Sequence, residues 1–426
     1  MVDTRLAHVW TNWSGGQQSR PRATDRPLDE AGVVAAVLRA ADRGRRIRPV
    51  GARWSWSPLA VTDEVQLDAS ALTGIVAFGP ERVRVRAGEK LDDLLPELSG
   101  NGLGIEAVPR GAGITVGGAV STGTHGSGAM VGSLSAAVRA VRLVDGHGKL
   151  RRIDGPDLDA ARVGLGALGV LTEVELAVVP ARALAAYEQL RPLVELLEEG
   201  FPDEHHWTEL EVFPDGDALA RWADPVHLAD EPAERGVAGR AAAVGSAAAV
   251  GSAHALGRVV PRLAPALRRS ASRWSGSTTG PAHRVLVGER PVRAEVSEWA
   301  LPREALGHAL RELGAATTAR GVVARLPVLV RVGPAETGWL HPAYGRPTAW
   351  VAVRARRGTD PEPLFGLAAS VLRDVGGRPH WGTCHDWTAA DVDAAYPRAA
   401  EFRCVRDRLD PDRRFANHHL DTVLGP

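Results

Sequence analysis

Between Pro109 and Gly128 the chain places seven glycines and five hydroxyl residues in twenty positions. A stretch so poor in large side chains cannot pack an ordinary helix. It can fold main chain tightly around a ligand and offer it N–H and O–H donors, and the partner that suits such a cradle best is a diphosphate. A second small-residue loop precedes it, Val50-Gly51-Ala52-Arg53-Trp54-Ser55-Trp56-Ser57-Pro58-Leu59. Alone it reads as a Gly-Ala turn with two structural tryptophans. Paired with the later stretch, it becomes a loop whose backbone N–H groups approach an anionic cofactor while a flat side chain covers it.

With 426 residues the chain is long enough for two or three domains. Lysine plus arginine equals aspartate plus glutamate at 51 each, so bulk charge gives no reason to expect nucleic acid or an anionic membrane as partner. A small molecule is the expected partner. Lys90 and Lys149 are the only lysines, both in surface-like contexts, which argues against a catalytic lysine. No apolar run reaches the length of a membrane span, and residues 1–13 lack a signal-peptide apolar region. Two cysteines, Cys384 and Cys404, cannot build a disulfide framework. A cytoplasmic protein is expected.

Residues 31–41 carry Val33, Val34, Val37, Leu38 and Ala41 on one helical face, with Gly44 as the stop and a strand at 47–50, so the first loop sits at a strand exit. Val65 with Leu67, and Val83 with Val85 between Arg82, Arg84 and Arg86, predict half-buried strands. A helix is expected over 91–98, a hairpin over 137–153 around Asp145-Gly146, and a helix over 158–163. Gly164-Leu165-Gly166-Ala167-Leu168-Gly169 matches G-x-G-x-x-G, but a helix precedes it and a strand over 170–179 follows, the reverse of the dinucleotide-binding order. It fits a tight turn against a ligand. Beyond Pro180 the patterns predict a helix over 190–197, a strand over 207–213 with a turn at Asp215-Gly216, and helices in the Ala/Gly/Ser/Arg-rich 234–279. The two copies of Ala-Val-Gly-Ser-Ala there, at 243–247 and 249–253, read as compositional drift. Strands over 285–296, 322–332 and 348–353, with helices over 303–313 and 364–374, predict a second, α+β sheet domain. A turn-rich stretch, a helix over 400–409 and a tail over 415–424 follow.

His380-Trp381-Gly382-Thr383-Cys384-His385-Asp386, with His418-His419, has the residue types of a metal site but none of the zinc spacings, and no metal is expected. Cysteine-protease chemistry lacks its context, and no G-x-S-x-G marks a serine hydrolase. Glu298-Trp299-Ala300-Leu301-Pro302-Arg303-Glu304 and Arg331 are the remaining uncommon polar groups.

The motifs V-G-A-R-W-S at 50–55, G-G-A-V-S-T-G-T-H-G-S-G at 117–128, G-A-L-G-V-L-T-E-V at 166–174, E-W-A-L-P-R-E at 298–304, P-A-Y-G-R at 342–346, R-P-H-W-G at 378–382 and L-D-P-D-R-R-F-A-N at 409–417 occur in one order. In that order the chain resembles the aldonolactone oxidoreductases (D-arabinono-1,4-lactone, L-gulonolactone and alditol oxidases), within the vanillyl-alcohol-oxidase type of flavoproteins. The resemblance runs from about residue 10 to 426. It implies an α+β protein. A two-subdomain FAD-binding domain of the vanillyl-alcohol-oxidase (PCMH) type would cover 10–180. A substrate, or cap, domain would cover 181–426, with 376–426 returning towards the flavin. FAD would meet Gly51, Ala52, Arg53, Trp54, Ser55, Gly117, Gly118, Ser121, Gly123, Thr124, His125, Gly126, Ser127, Gly169 and Val170. A substrate C–H would pass hydride to flavin N5, and oxygen or another acceptor would reoxidise the flavin.

Three departures from the family pattern stand out. Trp54 replaces the histidine that most of these oxidases join covalently to flavin, which implies noncovalent FAD. Leu329 replaces the acid of a Glu-x-Arg pair, leaving Arg331, and Thr383 replaces the lysine of H-W-G-K. Fewer buried polar partners imply a changed, less hydroxyl-rich and biosynthetic substrate. Arg331 is the candidate for stabilising charge on substrate or flavin, Glu298 the candidate base, and His380 a residue facing the flavin. Thr124 and its neighbours are placed to control oxygen access. The rival readings are a flavin-binding protein without redox turnover, and one that has lost flavin altogether.

Overall fold

The computed structural model describes residues 9–111, 113–201, 204–226, 277–287, 293–322 and 324–425. The first part of the chain builds two small sheets. Ala23–Asp25, Val65–Asp68 and Ile47–Val50 form a parallel trio, against which the helix Glu30–Asp42 buries Val33, Ala36, Val37 and Ala40. The Asp29 side chain starts that helix by accepting the Gly32 N–H at 2.8 Å. The second sheet is antiparallel, in the order Leu150–Ile153, Val138–Val144, Val170–Ala177, Arg82–Arg86, Ile75–Phe78. Its alternation is the one read from sequence. Val83 and Val85 are fully buried, while Arg82 and Arg84 turn outward to Glu175 and Glu173 on the neighbouring strand.

The second part is dominated by one eight-stranded antiparallel sheet, in the order Ser277–Pro281, Ala183–Pro192, Asp217–Val226, Trp207–Val212, Val328–Gly333, Thr348–Arg356, Ala294–Pro302, Arg378–Pro379. Its central strands give the two faces opposite character. Leu210, Val330, Val332, Val351, Val353, Trp299 and Leu301 point one way, into a core closed by the helices Leu306–Ala319 and Glu362–Asp374. The alternate residues Glu209, Glu211, Leu329, Arg331, Ala352, Arg354 and Glu298 share the other face by strand period. That face looks onto the glycine-rich loops of the first part, and most of these residues line the cavity between them.

A distant segment locks the first loop in place. Arg48, almost fully buried, donates to the carbonyls of Leu59, Leu165, Gly166 and Phe415. The Asn417 amide donates to the carbonyls of Pro58, Leu59 and Val61. Burial pushes the Arg48 guanidinium down, to about 9, with no carboxylate paired to it among the described residues.

Several expectations need correction. Residues 116–122 do form a helix, Val116–Thr122, because Thr115 caps Gly118 N–H and Gly123, at φ 72°, ends it in the left-handed region. Small residues there permit close approach: a Cβ on Gly117 would lie 2.9 Å from Ala87 Cβ. The expected helix over 190–197 starts only at Leu193, since residues 183–192 pair with 217–226 in a long hairpin. The strand expected over 285–296 is a helix at Ala282–Leu286 and a strand at Ala294–Pro302. A helix at Ala389–Ala395, capped by Thr388 and Asp391, was hidden in the turn-rich stretch. The helices and duplicated segments expected within 227–276 lie outside the described residues.

Candidate active site

A cavity of about 360 Å³ lies between the two parts. One wall is main chain. Gly51, Ala52, Arg53, Trp54 and Ser55 line it, as do Gly117, Gly118, Ser121, Thr124, His125 and Gly169. Among the described residues, none of the five successive N–H groups of 51–55 donates to a protein acceptor. Arg53 sits at φ 66°, and its carbonyl accepts the Trp13 N–H at 2.8 Å. A left-handed residue within such a run turns consecutive N–H dipoles into one concavity, which is an anion site. Trp54 lies flat on Trp13, ring centroids 4.7 Å apart, and closes against Gly113, where a Cβ would be 2.9 Å from the indole.

The opposite wall is the charged face of the sheet. Strand register puts Glu298, Ala352, Leu329 and Glu211 in one row across four strands, with Trp350, Arg331, Glu209 and Arg221 in the next. Glu209 is fully buried between Arg110 and Arg331, the latter at 2.9 Å. Burial alone would raise its carboxyl pKa, but the two guanidiniums outweigh it and hold the group below its ordinary range. Arg331 is raised in turn, since Glu209 and Glu298 overcome its own desolvation.

Glu298 is the focus of this face. Its Oε1 lies 3.5 Å from His125 Nε2 and 3.7 Å from Arg331 Nη1. Burial pushes the carboxyl up, yet His125 and Arg331 bring it down to about 2. His125 Nδ1 lies 2.8 Å from the Gly126 carbonyl, which can only accept, so Nδ1 carries a proton. Its Nε2 faces the Glu298 carboxylate. The imidazole is held flat against Trp350, centroids 3.7 Å apart. His380 accepts the Gly382 N–H on Nδ1 at 3.1 Å and, when neutral, carries its proton on Nε2. Burial, with His125 and Arg331 adding to it against Glu298, lowers it to about 4.

The cavity thus gathers Arg331, Glu298 and His380 with eleven of the fifteen residues expected at the cofactor. The other four support it from behind. Gly123 ends the helix against His341, and Gly126 presses on the Val108 carbonyl, where a Cβ would sit at 2.8 Å. Ser127 Oγ bonds the Thr208 carbonyl and accepts Val332 N–H, and Val170 is fully buried at a strand start. Thr383 is a brace as well: its hydroxyl donates to the His380 carbonyl and accepts Glu298 N–H. Sequence reading missed Glu209, Glu211, Arg110 and Arg354. The signal was two glutamates two apart inside an apolar strand, a pattern that puts both on one face. His125, Glu298 and His380 offer ligand atoms within 4.8 Å of one another, but Arg331 already covers the one carboxylate, and competes with any cation for it.

The wall of unengaged N–H groups and the glycines without Cβ fit the diphosphate and flat rings of FAD. Gly51→Ala is expected to weaken FAD binding at least tenfold in a flavin-fluorescence titration. Its Cβ would sit 2.3 Å from Thr115 Oγ1, the group that caps Gly118, so loop and helix start must separate.

A family model for D-arabinono-1,4-lactone oxidase matches residues 174–423, and one for an FAD binding domain matches residues 21–154. The chain is 36% identical to L-gulono-1,4-lactone dehydrogenase of Mycobacterium tuberculosis, covering 99% of this chain and 100% of that one. It is 30% identical to alditol oxidase of a Streptomyces species, over 97% and 98% of the two chains. Identity to L-gulonolactone oxidase of Mus musculus is 28%, over 97% of each. Cholesterol oxidase from B. sterolicum has the same fold, with a TM-score of 0.77 at 18% identity over 98% and 96% of the chains.

Proposed function

The chain belongs to the D-arabinono-1,4-lactone oxidase family and is an FAD-dependent oxidoreductase of α+β fold, and on that premise we propose that it oxidises a carbinol CH–OH of a small molecule with Glu298 and His125 as the proton acceptor. The observation that carries this reading is the buried Glu298–His125 pair on the cavity wall beside Arg331. Bound FAD supplies the hydride acceptor. Residues 51–55 and 117–125 hold the cofactor, with 10–180 acting as its domain and 181–426 as the substrate domain. Glu298, ionised throughout the neutral range, takes the hydroxyl proton as the C–H bond breaks and shares it with His125. Arg331 favours the oxygen as it gains negative charge, with Glu209 fixing its guanidinium. His380, neutral, offers Nε2–H. Leu329 and Ala352 make apolar the centre of the row where Glu298 stands, so the substrate meets fewer polar side chains there than an acid at 329 would give.

Trp54 supports noncovalent attachment: its indole, stacked on Trp13 and wedged at Gly113, presents no nucleophilic nitrogen. Acid precipitation of the yellow protein is expected to leave the flavin in the supernatant; colour retained in the pellet would overturn this point. The activity itself is tested by anaerobic bleaching of the flavin with a panel of aldonolactones, alditols and their acids. At least one compound is expected to bleach it within the mixing time of a bench spectrophotometer. If none does while FAD stays bound, the scaffold serves binding without redox turnover. In air, slow reoxidation against fast reduction of a dye would identify an acceptor other than oxygen.

A further inference from the structure

The charges on the cavity wall do not cancel locally. Glu211 and Glu298 are the carboxylates that line it, and both are covered: Glu211 by Arg110 at 3.2 Å and Arg221 at 2.9 Å, Glu298 by Arg331 and His125. Arg354 lines the same wall and has no carboxylate within 4.0 Å among the described residues. Its Nε and Nη2 both donate to one carbonyl, that of Pro327, at 3.1 and 2.9 Å. This double contact fixes the plane of the guanidinium, while Nη1 has no acceptor among the described residues. A half-buried, oriented guanidinium whose favourable carboxylates, Glu211 and Glu209, stay beyond ion-pair distance is costly unless a ligand completes it, and its fork geometry suits an oxyanion.

Strand register gives the distance. Arg354 follows Ala352 by two residues on the same face of its strand, and Ala352 is paired directly with Glu298 on one side and Leu329 on the other. The Arg354 row therefore lies roughly 7 Å along the strands from the Glu298 row. Leu329 and Ala352, which share the Glu298 row, put apolar side chains beside that spacing. That spacing leaves room for a substrate of several carbons with one end at Glu298 and the other at Arg354.

Resting on the oxidoreductase reading above, we propose that the substrate is a short hydroxylated anion whose oxyanion, a carboxylate or a phosphate monoester, binds Arg354 while the carbinol at its far end meets Glu298 and Arg331. Arg354 acts in specificity and takes no part in the bond changes. Oxidation would then occur at the end of the chain remote from the charge.

The FAD-loaded full chain tests this through the difference spectrum of its flavin, which reads binding whether or not the flavin is reduced. Glucitol, gluconate and glucitol 6-phosphate share one carbon chain and differ in the terminal group. At least one anion is expected to bind tenfold or more tighter than glucitol, and gluconate against the phosphate ester identifies the oxyanion. Arg354→Gln is expected to cut that anion preference 10- to 100-fold, and Arg354→Lys to keep most of it. Should Arg354→Gln fail to fold, the wild type decides by ionic strength: the anion's Kd rises with salt and that of glucitol does not. Equal binding of all three, or an equal loss of all three in Arg354→Gln, overturns the proposal. Anions that bind as expected without any compound bleaching the flavin would leave it standing and remove the oxidoreductase reading instead.

Discussion

Glu298→Gln lowers the rate of anaerobic flavin reduction about a thousandfold, with FAD still bound and substrate affinity changed much less. General-base groups contribute roughly 10²–10⁴-fold, and Glu298 is the ionised group placed to act as one, through Oε1 towards His125 and Arg331. Glutamine keeps the shape and one acceptor oxygen but cannot take a proton. The rest of the wall should survive the change, because Arg331 remains tied to Glu209 at 2.9 Å and His125 remains stacked on Trp350. The loss should therefore fall on the reduction rate and leave the binding constant of a substrate analogue within a few-fold. His125→Gln should reproduce part of it, since the pair holds the proton jointly. Stopped-flow reduction at saturating substrate is the measurement, and a Glu298→Gln rate within threefold of wild type would falsify the assignment.

Acidification from pH 7 to pH 5 destabilises the protein strongly, through its histidines. His341, His380 and His419 are buried and His385 partly so, and desolvation is the leading cause that lowers each below its ordinary value, His380 and His419 to about 4. Near pH 6.5 the unfolded chain takes up protons at these positions while the folded chain does not. Stability is therefore complete above about 6.5, and falls as the pH drops from there towards the folded values. By pH 5, His380 and His419 each cost roughly 2 kcal/mol, with His341 and His385 adding in the same direction. Against a total of about 5–15 kcal/mol this is large, and the melting temperature with saturating FAD should drop on the order of 10 °C. Glu298 has the opposite linkage. Its carboxyl is depressed, so its contribution is intact above about 4.5 and is lost only as the pH falls towards 2. His419→Gln should flatten the slope between pH 6.5 and 5. A melting temperature constant across that interval would exclude the mechanism.

What the sequence made legible was local. The periodicity of residues 31–41 and the alternation of arginine and valine over 82–86 appear where expected, because one face of each is apolar and the other solvated. The glycine loops were also readable, since absent side chains state directly where backbone must meet something else. The long hairpin 183–226 was not readable as a whole. Its first strand, Ala-Leu-Ala-Ala-Tyr-Glu-Gln-Leu, has helix-forming composition, and only its ten-residue pairing with 217–226 makes it a strand. The charged wall was harder still. Glu209, Arg331, Glu298 and Arg354 come from four strands spread over some 145 residues, and what unites them is the register of the sheet. The family resemblance implied an acid in place of Leu329; it could not show that a different carboxylate, Glu298, stands in the same row two strands away.

The lock on the first loop has a consequence in time. Arg48 reaches the Phe415 carbonyl across 367 residues, and Asn417 reaches Pro58 across 359. A ribosome adding about 5–20 residues per second needs tens of seconds between making the loop and making its clasp. Through that interval the loop residues proposed to receive the diphosphate already exist, without the segment that fixes their position, and Arg48 has one of its carbonyl partners still unmade. Capture of FAD is therefore expected late in synthesis, and a chain stalled before residue 415 should remain colourless even with every glycine of the cradle in place.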